Sequence, residues 1–310
     1  MPEINYFTNY PPACREIYLN MSNIKLGDDF TKAVIAATGP KADPRVRTVF
    51  ASLIRHLHDF TRENQITVDE WTRAVALMNR AGQMSNEKRN EGQLVCDVLG
   101  LESLVDNITN SLLVGESYEA TATAILGPFY RDDTPAIPND ASIVLTPPKD
   151  GKGENVYMHG IVTDAATGKP IPGAKIDIWQ CSTNGMYEQQ DPDQAEWNLR
   201  GKLTTDENGY YGVYCIRPVP YPIPYDGPAG DLLQLLDRHP WRPGHIHLLI
   251  GINGYAPLTT QIFDRTSKYL IDDSVFAVKD ELLVDFKPIQ NNPKAELELV
   301  YDVKLAPSKA

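Results

Sequence analysis

The apolar positions of this chain change period once. From residue 28 to about residue 113 they recur at helical spacing, and Val46, Val49, Phe50, Leu53, Ile54, Leu57 and Phe60 form one stripe. Asp43-Pro44 in front of it reads as an N-cap followed by proline at the first helical position, where no N–H is needed. Thr67-Val68-Asp69-Glu70 has capping-box spacing, with Trp71, Val75 and Met78 extending an apolar face behind it. Leu101, Leu104, Val105, Ile108 and Leu112 predict another helix after Gly100. From about Val156 the period becomes two. Ala174, Ile176 and Ile178 alternate with Lys175, Asp177 and Trp179, and alternation returns in Glu296-Leu297-Glu298-Leu299-Val300-Tyr301. Turn signals separate short strands: Thr167-Gly168-Lys169-Pro170, Glu207-Asn208-Gly209 and Gly251-Ile252-Asn253-Gly254.

This pattern predicts an α+β protein: a helical amino-terminal region over residues 1–125 and an antiparallel β-sandwich over residues 126–310. Gly127-Pro128-Phe129-Tyr130 and a Pro/Asp-rich stretch to Asp150 read as the connector. Between Arg217 and Gly244 lie Pro218, Pro220, Pro222, Pro224, Pro228, Pro240 and Pro243, the mark of a long rigid loop. A loop of that length inside a compact domain is more often functional than idle.

Composition narrows the function. With 29 basic against 41 acidic side chains the formal net charge is −12, so nucleic acid or an anionic membrane surface is a poor match as main partner. A small anionic substrate stays open, since a local site can oppose the global charge. Cys14, Cys96, Cys181 and Cys215 are scattered without a CxxC pair and read as reduced thiols. Residues 1–6 lack a basic segment leading into an apolar one, and no run of 18 or more apolar residues occurs, so the expectation is a cytoplasmic protein without membrane insertion.

The strongest local signal is Arg242-Pro243-Gly244-His245-Ile246-His247, which holds two of only six histidines. On a strand, positions i and i+2 project from one face, so both imidazoles can converge on one metal ion. The other reading is a pair of ordinary sheet histidines. His56 and His58 have the same spacing on a helix and point apart, and His239 reads as structural or exposed. No Glu or Asp completes the pair at an obvious short spacing, and the cysteines are misplaced for zinc. Tyr187, in Gly185-Met186-Tyr187, and Tyr221, in Pro220-Tyr221-Pro222, sit at turns flanking strands, but composition does not select them from 15 tyrosines.

Taken together, Gly185-Met186-Tyr187, Pro220-Tyr221-Pro222-Ile223-Pro224 with Asp226-Gly227-Pro228, Arg242-Pro243-Gly244-His245-Ile246-His247 and Leu258-Thr259-Thr260-Gln261 resemble the intradiol ring-cleavage dioxygenases. The resemblance runs through nearly the whole chain, including Leu126-Gly127-Pro128-Phe129-Tyr130. It implies one Fe(III) per subunit on Tyr187, Tyr221, His245 and His247, with a hydroxide or water as fifth ligand. Phenolates are hard anions that favour Fe(III), and two of them with one hydroxide balance its charge in a buried site. It further implies a catechol-type diol and O₂ as substrates. Tyr221 would take a substrate proton, while Arg242 and Gln261 would stabilise charge and orient the ring. The pocket it implies is bounded by Leu94, Asp97, Ile125, Gly127, Pro128, Phe129, Arg242 and Gln261.

Within the family, Leu94-Val95-Cys96-Asp97 is similar to a pocket segment where many bacterial catechol enzymes carry proline instead of aspartate. Asp97, Pro220-Tyr221-Pro222-Ile223-Pro224 and His239-Pro240-Trp241-Arg242-Pro243 resemble the hydroxyquinol 1,2-dioxygenases and the related fungal catechol dioxygenases. An aspartate there can accept a hydrogen bond from a third hydroxyl; pairing within a helix explains it equally. Gly244 stands where alanine or serine is more usual, with little expected consequence beyond backbone freedom. The resemblance also implies a homodimer through the amino-terminal helices, with or without lipid in the seam. Two other function classes remain: a zinc hydrolase using His245 and His247, and a non-catalytic β-sandwich binding module.

Overall fold

The computed structural model describes residues 27–113, 119–148, 151 and 153–308; Cys14, residues 1–6 and Asp150 fall outside them. The chain clusters into two compact units, Met1–Val75 and Ala76–Ala310.

In the first unit, helices α1 (Asp28–Ala36) and α2 (Pro44–Glu63) pack together, and α3 (Val68–Met84) begins. The sequence signals at their ends are realised. Asp43 Oδ1 accepts the amides of Arg45 and Val46, and Thr67 and Glu70 exchange hydrogen bonds as a capping box does. The apolar stripe of α2 is exposed, with Phe50, Leu57 and Phe60 each more than half accessible (51%, 54% and 55%). Ordinary core packing therefore does not account for that stripe.

The second unit holds α4 (Glu91–Val98), capped by Asn90, and α5 (Leu101–Leu113), followed by strands. One sheet runs β1 (Ala141–Ser142), β5 (Tyr210–Ile216), β2 (Asn155–Asp164), β12 (Leu297–Val300) and β11 (Lys287–Pro288), with β13 (Val303–Leu305) also on β2. The other runs β10 (Leu283–Val284), β9 (Leu258–Asp264), β8 (His245–Gly251), β3 (Lys175–Trp179) and β4 (Arg200–Thr204). Val156, Met158 and Val213 from the first sheet meet Ile176, Ile246, Leu248 and Ile262 from the second in one buried cluster, the sandwich core.

The sandwich is mixed rather than purely antiparallel. Pairs β2–β5, β3–β8 and β8–β9 are antiparallel, but β12 and β13 join β2 in parallel, as β1 joins β5 and β10 joins β9. Turn residues report hairpins only; a strand returning after a long connection carries no local sign of its direction.

A second difference concerns the proline-rich stretch. It folds into a two-residue ladder, β6 (Tyr221–Pro222) on β7 (Trp241–Arg242), with helix α6 (Pro228–Leu235) between them. Pro228 occupies the first turn, the one helical site where proline is harmless, so its presence there masked the helix. Ala229 and Leu233 of α6 pack with Leu94 and Val98 of α4.

Alternation by itself leaves the second face of β3 to solvent, yet Asp177 and Trp179 are buried. That outer face of the five-stranded sheet, away from the sandwich core, carries the site.

Candidate metal centre

Along β8 the side chains of Ile246, Leu248 and Ile250 enter the sandwich core, so His245 and His247 share the opposite face. Tyr187 arrives from the turn after β3, fixed by its amide donating to Gln190 Oε1 at 3.0 Å and by its ring stacking on Phe129 at 4.4 Å. Tyr221 is held by its ladder pairing with Arg242, which places its ring 5.5 Å from His245. Tyr187, Tyr221, His245 and His247 are 1%, 4%, 1% and 2% accessible, so the four groups are withdrawn from bulk water together.

Their polar atoms converge. Tyr187 Oη lies 3.0 Å from His247 Nε2 and 3.4 Å from Tyr221 Oη, and the two Nε2 atoms are 3.2 Å apart. Two ligands each about 2.1 Å from one ion, at about 90–110° to each other, are about 3.0–3.4 Å apart. The donor set therefore has the spacing of a shared first-row metal ion. Tautomers agree with this. His245 Nδ1 donates to the Pro243 carbonyl at 2.8 Å, so its Nε2 carries the lone pair, which accepts from Arg242 Nη1 at 3.1 Å. His247 stacks on Trp179 (4.6 Å, 11°) and its Nδ1 is buried without a partner; its Nε2 faces the same centre. Two nitrogens aimed at each other across this gap, with two phenols beside them, suit a cation between them. Among the described residues no three His, Cys, Asp or Glu side chains group as a metal site, so the tyrosines are essential to this set.

Burial sets the titration of all four. It holds both imidazoles well below the ordinary histidine range, with the Arg242 charge adding to the effect, so they are neutral donors. It raises both phenols, Tyr187 further through its neighbour Tyr221; for Tyr221 the Arg242 charge partly opposes the rise. A bound trivalent cation reverses that balance and favours phenolate.

Arg242 and Gln261 lie beside these four, with Arg242 on His245 and Gln261 on Arg242. Arg242 Nε and Nη2 bind the two oxygens of buried Asp273 at 3.0 and 3.2 Å, and Nη2 donates to Gln261 Oε1 at 2.8 Å. Burial works against the guanidinium charge, but Asp273 and Tyr221 beside it hold it firmly protonated. Gln261, opposite His247 in the ladder, passes its Nε2 to the Ile125 carbonyl at 2.7 Å.

The implied pocket residues divide into groups. Phe129 packs with Trp179, Tyr187 and Tyr221, and Gly127 lies beside His247. Leu94 and Ile125 belong to an adjoining apolar cluster with Ile223 and Phe263. Pro128 is half-buried in the turn between Gly127 and Phe129. Asp97 is buried near Arg242, its Oδ1 without a partner. His239 pairs with Asp272 at the surface, and His58 bonds Thr31 on the face of α1. Asp273, Trp179 and Glu102 are the functional neighbours that sequence reasoning missed. Asp273 is 31 positions from its arginine, a separation that carries no signal.

Gly244 proves more constrained than expected. A Cβ there would lie 2.6 Å from the Pro218 carbonyl oxygen, a backbone atom that cannot yield cheaply. Gly244→Ala is therefore expected to cost about 1–3 kcal/mol of stability, read as a lower denaturant midpoint at unchanged m; an unaltered midpoint would show that Pro218 moves aside freely.

Comparison with known proteins fits this geometry. Residues 43–115 match the family described as catechol dioxygenase N terminus, and residues 125–307 match the family described as dioxygenase. A catechol 1,2-dioxygenase of Candida albicans is 49% identical over 284 residues, 89% of this chain and 91% of the relative. An intradiol ring-cleavage dioxygenase, prcA, of Aspergillus niger is 47% identical, covering 93% of this chain and 91% of its own. The crystal structure of a hydroxyquinol 1,2-dioxygenase from Pseudomonas putida DLL-E4 superposes with a TM-score of 0.78 at 33% identity, over 95% of this chain and all (100%) of the other.

Proposed function

The chain belongs to the intradiol ring-cleavage dioxygenase family, and from that premise we propose that it opens catechol between its two hydroxylated carbons to give cis,cis-muconate, using O₂ and one Fe(III) held by Tyr187, Tyr221, His245 and His247. The observation that carries this reading is the meeting of two phenol oxygens and two neutral imidazole nitrogens at separations of 3.0–3.4 Å in a water-poor site. Ferric iron there would supply a Lewis acid that draws electron density from a chelating diol and opens a ring carbon to O₂.

The chain's own groups account for the rest. Tyr221, on the short β6–β7 ladder rather than within a long sheet, is the residue we assign to accept a substrate proton at Oη. Arg242 presents a fixed positive charge at the centre, and its bidentate pairing with Asp273 fixes where that charge lies. Gln261 ties Arg242 to the Ile125 carbonyl and so couples the charge to the pocket wall. Phe129 and Trp179 exclude water from the ligand side chains.

One observation favours a second reading, hydroxyquinol (1,2,4-trihydroxybenzene) as substrate. Asp97 Oδ1 is a buried acceptor with no partner, suited to a third ring hydroxyl. Steady-state oxygen uptake with catechol, 4-methylcatechol, chlorocatechols and hydroxyquinol on one preparation decides between them. The highest kcat/KM is expected for catechol; a clear preference for hydroxyquinol would reverse the assignment, and stoichiometric zinc in a colourless protein would replace it. If Asp97 reads the third hydroxyl, Asp97→Ala lowers the hydroxyquinol-to-catechol ratio of kcat/KM about tenfold. An unchanged ratio removes Asp97 from substrate choice.

We assign the pairing of two copies to the amino-terminal helices. What supports it is the exposed apolar stripe of α2, a row of large apolar side chains left in water, which would also suit a lipid chain in the seam. Sedimentation of the purified protein tests the dimer. No helix among the described residues is long and apolar enough to cross a membrane. A cytoplasmic location fits Cys96, Cys181 and Cys215, each a free thiol.

A further inference from the structure

The segment Ile125-Leu126-Gly127 crosses the site as a strap. Gly127 adopts φ +74, and the place its Cβ would occupy is 3.4 Å from His247 Cε1, so the backbone itself forms the wall beside that imidazole. A side chain at 127 would meet both the strained backbone conformation and the ring. The strap is tied from two sides. Gln261 Nε2 takes the Ile125 carbonyl at 2.7 Å, from the strand below. From the helical side, Glu102 Oε1 accepts the amides of Leu126 at 3.0 Å and Gly127 at 3.4 Å.

Glu102 lies in the first turn of α5, and its other oxygen is held as well. Gln93 Nε2 donates to Oε2 at 3.1 Å, and the carboxyl of Asp97, one turn further along α4, is within hydrogen-bonding reach. Two carboxyls in contact share one proton, and their surroundings decide its owner. Burial and the adjoining Glu102 push Asp97 up to about 9, so it is the neutral acid and the donor. Burial opposes charge on Glu102, yet donation from Asp97, Gln93 and the amides of Gly127 and Leu126 holds its carboxyl below the usual range. The strap therefore hangs from an ionised acceptor that two side chains orient, and charged acceptors make the shorter, stronger hydrogen bonds.

We propose that Glu102 is a positioning residue, whose carboxylate, oriented by Asp97 and Gln93, sets the height of the Leu126-Gly127 strap over His247 and thereby the wall against which the aromatic substrate is seated. The substrate part rests on the ring-cleavage reading above; the clamp itself does not. Nothing in the local sequence advertises it, because donor and acceptor lie 24 and 25 positions apart. The consequence is kinetic. Displacing a positioning wall by about 1 Å costs about a hundredfold in rate without touching the reacting groups.

The test compares Glu102→Ala, Glu102→Gln and Asp97→Asn in the iron-loaded protein, by amide hydrogen exchange and steady-state kinetics with catechol. In Glu102→Ala the Leu126 and Gly127 amides are expected to lose at least about tenfold in protection while β8 amides keep theirs, and kcat/KM is expected to fall by about a hundredfold. Glu102→Gln retains an accepting oxygen and is expected to restore protection to within about threefold of the parent. In Asp97→Asn, whose amide donates as the neutral acid does, both amides stay protected. Parent-like exchange at 126 and 127 in Glu102→Ala overturns the proposal, as does a uniform loss across β8 and β9, which would mark general destabilisation. Exchange reads the clamp even if catechol proves the wrong substrate, so the two failures are separable: protection lost without any ring cleavage indicts the function, and kinetics without a protection change indicts the clamp.

Discussion

Tyr187→Phe is expected to strip the iron-loaded protein of most of its red phenolate-to-metal charge-transfer colour and to lower kcat/KM by at least about a hundredfold. The substitution is chosen because it removes one oxygen and almost nothing else. The Tyr187 ring stacks on Phe129 and lies beneath the Arg200 guanidinium, contacts that a phenylalanine ring keeps. Among the described residues its Oη hydrogen-bonds only within the candidate centre, at His247 Nε2 and Tyr221 Oη. Loss of that hydroxyl should therefore cost about 1–2 kcal/mol of apoprotein stability, too little to unfold a domain of this size. A fold preserved by circular dichroism, with colour and activity gone, is the expected outcome. Retention of the parent spectrum would remove Tyr187 from the ligand set. Tyr221→Phe should also change the colour, since its ring is equally withdrawn from water and its oxygen lies 3.4 Å from that of Tyr187.

The second large effect concerns Arg242. Arg242→Met leaves the Asp273 carboxylate buried without its bidentate partner, although the Val275 and Ala277 amides still donate to it. Breaking a buried ion pair on one side costs about 3–5 kcal/mol, a fall in Tm of about 6–20 °C. Activity should fall about 10²–10³-fold, as when a charge-stabilising donor is removed from an enzyme centre. The double variant Arg242→Met, Asp273→Asn separates the two effects. It removes the uncompensated charge and should regain most of the stability while activity stays low. Recovery of activity along with stability would mean that Arg242 only supports the fold. A double variant as unstable as the single one would mean that packing of the long side chain, rather than charge, dominates.

Several elements announced themselves in the sequence because their cause is local. Asp43 and Thr67 cap helices with side chains only two or three positions from the amides they satisfy. The strand at His245–Gly251 is supported by the apolar run Leu248-Leu249-Ile250, and the two-residue period of a strand puts His245 and His247 on one face. Helix α6 was hidden for an equally local reason, since prolines ahead of it read as loop until the first-turn position of Pro228 is known. The parallel pairings of β12 and β13 with β2 were hidden because strand direction is set by where a long connection returns.

By itself, then, the sequence determined the order and period of the elements, the pairing of two imidazoles on one strand face and, through its motifs, the family. It could do so because backbone geometry converts short spacings directly into shared faces. What only the tertiary structure decided is how groups far apart in the chain meet: Tyr187 with His247, Arg242 with Asp273, and Glu102 with the strap at Leu126-Gly127. Those contacts depend on the closure of loops whose ends are fixed by the packed sheets. Burial then sets the charge state of each group there, and no residue carries that information in its neighbours along the chain.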